Sequence, residues 1–196
     1  MKRLCDILFS GIGLLCMAPL FAVIALWIKC DSPGPVFYRQ TRVGRGNKPF
    51  SLYKFRSMRP DADKAGLLTV GEHDNRVTKS GFFIRKYKLD EFPQLINVFI
   101  GDMSLVGPRP EVRKYVDMYT PAQLHVLDVR PGITDAASIK YRNENDLLAK
   151  ADKPEQYYID VIMQDKLRIN LEYVKHHTLF GDLRLILSTF HAVLMH

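Results

Sequence analysis

Residues 82–110 read "FFIRKYKLDEFPQLINVFIGDMSLVGPRP", and the organisation of the whole chain follows from them. The apolar positions Phe82, Phe83, Ile84 and Tyr87 predict a short helix. A second helix is predicted from Asp90 to Ile100, stopped by Gly101. Three cations, Arg85, Lys86 and Lys88, run into two adjacent carboxylates, Asp90 and Glu91. Aspartate is a favoured N-cap residue, so the bland reading is a capping Asp90 followed by a first-turn glutamate. With Asp90 as the cap, Pro93 falls at the third helical position and has no N–H to donate, so the carboxylate is freer for other work.

A helix N-terminus and the preceding cations both favour the ionised carboxylate, the form a nucleophile or metal ligand needs. Adjacent residues on a helix point about 100° apart, so the pair cannot form an acid/base couple across a substrate. One carboxylate attacks, on this reading, and the other orients it or helps hold a metal. An electrophile among so many cations is expected to be anionic, and phosphate accepts paired guanidinium donors. Arg109, between Pro108 and Pro110, has a pre-set backbone suited to that work. "VRPGIT" (129–134) repeats the device with Arg130 before Pro131 and Thr134 close behind. Taken singly, each also reads as a surface turn carrying a solvated arginine.

Upstream, Val36–Gln40 and Phe50–Arg56 read as two short strands around a Gly46-Asn47-Lys48 turn. Residues 57–80 read as a loop. Helical pieces are predicted over Glu111–Tyr119 and Pro121–Asp128, and longer helices over Pro154–His176 and Leu179–Met195. The last carries Leu183, Ile186, Leu187, Phe190, Val193 and Leu194 on one face, which fits either core packing or a helix lying on lipid. The fold class expected is α+β and mostly helical, with a small β-hairpin and surface-lying amphipathic helices.

From Ile7 to Ile28 the chain is uncharged, long enough for the roughly 20 apolar residues that cross a hydrocarbon core. The run is too long for a cleaved signal peptide and lacks a small-residue cleavage site before Trp27. Lys2 and Arg3 precede it, and Lys29, Arg39, Arg42 and Arg45 follow, so both flanks favour the cytoplasmic side. Pro19 sits mid-run and predicts a break or kink. The expectation is a re-entrant membrane helix over 1–30, broken at Pro19, and one catalytic unit over 31–196. The formal net charge of +7 points to a polyanionic partner: nucleic acid, an anionic membrane face or a phosphorylated substrate. The three cysteines, Cys5, Cys16 and Cys30, lie together in the apolar segment and form no disulfide framework, which suits a reducing compartment.

"KRLCDILFS" (2–10) with "APL" (18–20), "GPVFYRQTRVGRGNKPFSLYKFRSM" (34–58), "DNRVTKSGFFIRKYKLDEFPQLINVFIGDMSLVGPRPE" (74–111) and "VRPGIT" together resemble the bacterial sugar transferases, the monotopic phosphoglycosyl transferases. The resemblance covers nearly the whole chain. It implies a domain on the cytoplasmic face of the bacterial inner membrane, held against its anionic leaflet by a re-entrant helix broken at a proline, here Pro19. It implies transfer of a phospho-sugar from a nucleotide sugar, commonly a UDP-sugar, to polyprenyl phosphate, with release of the nucleoside monophosphate. By resemblance Asp90 is the nucleophile that carries a covalent phospho-sugar, Glu91 its dyad partner, and Mg²⁺ the cofactor on the pair. Lys54, Arg85 and Arg109 bind phosphate or the dyad, with Arg130 and Thr134 added as substrate-binding residues. After "PGIT" the text departs from the family pattern, reading Asp135-Ala136-Ala137-Ser138-Ile139-Lys140-Tyr141-Arg142, which leaves the sugar and nucleotide contacts of that loop open, as is homodimerisation.

Three rivals belong to other classes. A nucleic-acid-binding protein suits the charge, but neither zinc-ligand spacing nor an RNP-like aromatic motif is present, and no nucleic acid partner is expected. A membrane scaffold would use Asp90 and Glu91 only as a cap. A metal-dependent phosphohydrolase would use the same carboxylates with water as acceptor.

Overall fold

The computed structural model describes residues 1–60, 62 and 75–194. Helix α1 spans Lys2–Asp31 and runs unbroken through Pro19, where the sequence predicts a break. One proline deletes a single intrahelical hydrogen bond, and the helix is held along its length by the rest of the chain. Gly11 and Gly13 let Phe99 and Leu95 approach closely. Phe21 meets Phe55 edge-on at 5.0 Å, and Ile24 and Ile28 join Phe55 and Ile84 in a buried cluster.

Strands β1 (Phe37–Val43) and β2 (Pro49–Phe55) pair antiparallel, with Phe37 opposite Phe55 and Val43 opposite Pro49. The predicted hairpin is present and β1 runs three residues beyond its expected end. The connection is a 3₁₀ turn over Arg45–Asn47, in which Gly46 and Asn47 both take positive φ. Alternation along β2 turns Phe55 toward α1 and places Leu52 in a separate cluster with Val98 and Met103. Much of the loop expected over 57–80 lies outside the described residues. Its flanks are joined by a bridge between Met58 and Val77.

Helix α2 (Lys79–Lys86) is capped by Thr78, whose hydroxyl accepts from the Gly81 N–H at 3.0 Å. The second predicted helix is shorter than expected. Leu89–Glu91 form a 3₁₀ turn, and α3 covers only Gln94–Ile100. Lys88, in the left-handed region at φ 56°, turns the chain, and Pro93 stands at the N-cap of α3. Asp90 is therefore not the helix cap. Gly101 ends α3 at φ 105°, as its position predicts.

A parallel pair that the sequence does not signal follows: β3 (Ser104–Val106) against β4 (Gly132–Thr134). Helices α4 (Arg113–Val116) and a 3₁₀ stretch (Gln123–Asp128) replace the two longer pieces expected there. Helices α5 (Ala136–Lys140), α6 (Glu144–Ala149) and α7 (Pro154–Tyr157) lead through a π-helical turn (Tyr158–Ile162) into α8 (Met163–His176) and then α9 (Leu179–Leu194). Tyr115, Val126, Leu148, Tyr158, Ile162 and Leu167 form the core of this second half.

The apolar stripe of α9 does not point into that core. Leu183 and Leu187 are 53% and 61% exposed. The inward contacts are polar: Asp182 pairs with Lys2, and Thr189 Oγ1 meets Thr134 Oγ1. The side chains of Phe190, Val193 and Leu194, and residue Met195, lie outside the described set.

Candidate active site

Four of the residues singled out from sequence meet directly. Lys54, on β2, donates to Glu91 Oε1 at 3.0 Å, and its ammonium lies 3.8 Å from Asp90 Oδ2. Arg109 spans both oxygens of Glu91, through Nη1 at 3.1 Å to Oε2 and through Nη2 to Oε1. This is the two-pronged geometry that distinguishes guanidinium from ammonium. Arg85, at the end of α2, and Lys88 join by charge, since both act to lower the pKa of Asp90.

The local chain explains why these groups converge. The αL turn at Lys88 folds Asp90 and Glu91 back under the end of α2. Asn97, fully buried on α3, accepts from the Tyr53 N–H at 2.9 Å and donates to the Ser51 carbonyl at 2.7 Å. That clamp fixes α3 against the strand that carries Lys54. Arg109 is presented by a turn held on several sides. The Gly107 N–H donates to Thr134 O at 3.1 Å, and the Gly132 N–H to Pro108 O at 3.0 Å. Arg42 Nη1 donates to Pro110 O at 3.1 Å. The crossing of Gly107 and Gly132 needs glycine at both positions, because a Cβ on Gly132 would lie 2.1 Å from the Gly107 nitrogen and one on Gly107 2.4 Å from the Arg130 carbonyl oxygen.

Thr134 supports this turn through its carbonyl, and both Thr134 and Arg130 stand outside the dyad contacts. Arg130 Nε donates to Gly101 O at 2.9 Å, satisfying a carbonyl just past α3. Thr134 is buried, with its hydroxyl on Thr189. The unfamiliar segment after "PGIT" is a capped helix: Asp135 accepts from the Ser138 N–H at 2.9 Å and from its hydroxyl, and so starts α5.

The electrostatics differ from the sequence expectation, in which cations and a helix dipole hold both carboxylates ionised. Asp90 is 9% exposed, and burial raises its pKa. Lys54 acts against this and the Glu91 charge reinforces it, so the result is upward. Burial works to raise Glu91 as well, but Arg109 and Lys54 outweigh it and hold that carboxyl well below the usual range. The pairing also lifts Arg109 above its ordinary value, with the Glu91 charge as the main cause. One carboxylate thus takes the cations. The other is left desolvated and more basic, because burial and the neighbouring Glu91 charge outweigh Lys54, Arg85 and Lys88.

Among the described residues no group of three or more His, Cys, Asp or Glu could hold a metal ion. Both oxygens of Glu91 are committed to cations. A magnesium ion keeps several waters and takes one or two carboxylates with substrate phosphates. The donor set therefore fits a metal that arrives with a diphosphate and finds Asp90, and Glu91 does not fit as a ligand.

Three buried polar residues of structural weight were not singled out from sequence. Asn97 is one. Arg56, two residues past Lys54, donates from Nη2 to Ser32 O at 2.7 Å and from Nη1 to Pro33 O, closing the C-terminal end of α1. Asp6 accepts from Ser104 Oγ and the Leu105 N–H, both at 3.0 Å. An aspartate one turn into an apolar helix is the one signal that could have marked such a contact, since a buried carboxylate requires partners.

Comparison with known proteins identifies the family. An N-acetylgalactosaminephosphotransferase of Aeromonas hydrophila that acts on undecaprenyl phosphate is 38% identical over 98% of the chain. A glucose-1-phosphate transferase of Escherichia coli K12 that uses UDP-glucose and undecaprenyl phosphate is 37% identical over 96%. An uncharacterised sugar transferase of Bacillus subtilis 168 is 39% identical over 100% of the chain and 88% of its own length. The chain spans only 43% and 39% of the Aeromonas and Escherichia proteins. The family model described as bacterial sugar transferase matches residues 1–196. With a family match over its whole length and relatives 37–39% identical over nearly all of it, the chain belongs to the bacterial sugar transferase family.

Proposed function

We propose that the chain transfers a sugar phosphate from a nucleoside diphosphate sugar, a UDP-sugar, to polyprenyl phosphate, through a phospho-sugar carried on Asp90. The observation that carries this reading is the unequal division of counter-charge in the dyad. Glu91 is locked as an anion between Arg109 and Lys54. Asp90 is buried, more basic and only loosely paired, and it is the stronger nucleophile once ionised.

A carboxylate oxygen of Asp90 attacks the phosphorus that bears the sugar. The bond from that phosphorus to the bridging oxygen breaks, and UMP leaves with the electron pair. An oxygen of polyprenyl phosphate then attacks the same phosphorus, the aspartyl–phosphorus bond breaks, and the carboxylate is regenerated. Lys54 lies close enough to Asp90 to stabilise negative charge building on the transferring group, and Arg85 and Lys88 add to it. Arg109 acts through Glu91, holding it away from the attacking oxygen. Thr134 keeps the Arg109 turn in place through its carbonyl, and Arg130 braces the end of α3. Mg²⁺ bound with the donor would neutralise the diphosphate, with Asp90 as its protein ligand.

The contacts of α1 support a monotopic placement on the cytoplasmic face of the bacterial inner membrane. Arg3 donates to Val98 and Phe99 carbonyls near one end, and Asp31 accepts from Ser80 at the other. Thirty residues of helix span about 45 Å, against a hydrocarbon core of about 30 Å. A straight span would place the ends on opposite faces and strip one set of these contacts. The helix instead lies against its own domain and turns Leu4, Leu8, Leu15, Val23 and Leu26 outward, where lipid would cover them.

The test is mass spectrometry of the protein given UDP-sugar and Mg²⁺ without acceptor. A phospho-sugar adduct on Asp90 is expected, discharged to lipid when polyprenyl phosphate is added and absent in Asp90→Asn. An active enzyme with no adduct at that residue would remove the covalent step. Release of UMP with water as the sole acceptor would make the chain a hydrolase.

A further inference from the structure

Beside the dyad, aromatic rings form a row outside the core. Trp27 of α1 packs on Phe83 of α2 at 5.3 Å between centroids, and Phe83 on Tyr87 at 4.6 Å. Trp27 and Tyr87 are 41% and 50% exposed, unusual for rings in mutual contact in a chain with a formed core nearby. The row is rigidly mounted. Ile84, on the neighbouring face of α2, is fully buried against Ile24 and Ile28. Ser80 donates from its N–H and its hydroxyl to Asp31 at 2.8 Å each. Gly81 crosses the Ser57 backbone so closely that a Cβ would sit 1.9 Å from its carbonyl oxygen.

The same short segment carries cations. Lys86 lies over the Tyr87 ring at 5.9 Å. Arg85 is half-buried on the side of Asp90, and Lys88 follows at the turn. One end of the row thus continues the apolar face of α1, and the other meets positive charge beside the candidate nucleophile.

We infer that the row Trp27–Phe83–Tyr87 is the docking site of the acceptor, a single-chain isoprenoid with a terminal phosphate. This inference rests on the transferase reading above. The chain lies along the rings, whose faces suit its alkenes, and the phosphate passes Lys86 and Arg85 to reach Asp90. The row is one ring wide, which accommodates one chain and leaves the second chain of a phosphatidate without support. The charge complements a phosphate monoester, and the row's continuity with α1 lets the acceptor arrive from within the lipid.

Trp27 is the one tryptophan of the chain, so its emission reports the site directly. The protein in phosphatidylcholine nanodiscs is titrated with undecaprenyl phosphate, and separately with phosphatidic acid and with inorganic phosphate. A saturable blue shift is expected with undecaprenyl phosphate, at a half-saturation about tenfold lower than any response to phosphatidic acid, with no response to inorganic phosphate. Tyr87→Ala and Phe83→Ala should weaken the titration about tenfold each, the scale of one lost aromatic contact. Phe83→Leu keeps the apolar bulk without the ring and should weaken it by a smaller factor, a readout that survives if the alanine variant does not fold. Equal responses to undecaprenyl phosphate and phosphatidic acid would overturn the inference in favour of general lipid contact. An unresponsive Trp27 in protein that forms the Asp90 adduct would overturn the inference alone. A wild-type protein that forms no adduct while Trp27 responds selectively would overturn the transferase chemistry and leave the docking site standing.

Discussion

Removing Arg109 is the sharpest probe of how the dyad divides its charge. In Arg109→Ala, Glu91 loses two of its three cationic hydrogen bonds and keeps only Lys54 at 3.0 Å. Leaving a fully buried charge unpaired costs roughly 3–5 kcal/mol. Here Lys54 remains, and the Arg109 side chain is 35% exposed, so solvent screening reduces the loss to about 2 kcal/mol. For a chain of this size that is a fall in Tm of roughly 4–8 °C near neutral pH. The sign with pH follows from the direction of the shift. Glu91 is depressed below 4.5, so its contribution is complete above that value and fades as pH falls through the lower folded-state pKa. The gap in Tm between wild type and Arg109→Ala should therefore be widest near pH 7 and shrink below pH of about 4. Differential scanning fluorimetry of the detergent-solubilised proteins across that range measures it. A gap that is absent at pH 7, or that does not narrow in acid, would refute the assignment of Arg109 as the counter-ion of Glu91.

Three further outcomes follow from the same geometry. Because burial raises Asp90 and ionisation is needed for attack, adduct formation should climb with pH over a window above 3.8. In Glu91→Gln this limb should move to lower pH and its plateau fall, since a repulsive charge is lost and the freed cations act on Asp90; a limb measured by quenched-flow that stays put would count against coupling of the pair. Arg56→Leu leaves the carbonyls at the end of α1 without their donor and should lower stability by about 3 kcal/mol, with a parallel drop in transfer because Lys54 sits two residues away; denaturant unfolding at unchanged midpoint would contradict this. Cys5 and Cys30 lie near opposite ends of α1, so with Cys16 replaced a membrane-impermeant maleimide should reach both in inside-out vesicles and neither in right-side-out vesicles, whereas labelling of one from each side would establish a span.

The amino-acid sequence determined the groups of the candidate site and much of the scaffold. Two carboxylates after a basic run, an arginine between prolines and a lysine in a strand are local patterns, and local chemistry suffices to recognise them. The hairpin, the stop at Gly101 and the long apolar first helix were legible for the same reason: each rests on residues adjacent in the chain. What depended on distant partners was not legible. The parallel pairing of β3 with β4 brings together segments 28 residues apart in register, and three-residue strands carry no periodic signal. Arg130 and Thr134 resemble ligand-binding residues in isolation, and only the fold shows their groups already bonded to Gly101 and Thr189. The sequence also reads Asp90 as standing at a helix start and held ionised like its neighbour. Tertiary structure decided otherwise, because Arg109 and Lys54 arrive from remote segments and favour Glu91, while burial and the Glu91 charge leave Asp90 more basic. A pKa is set by the charges and solvent within a few ångströms, and those are known only once the chain has folded.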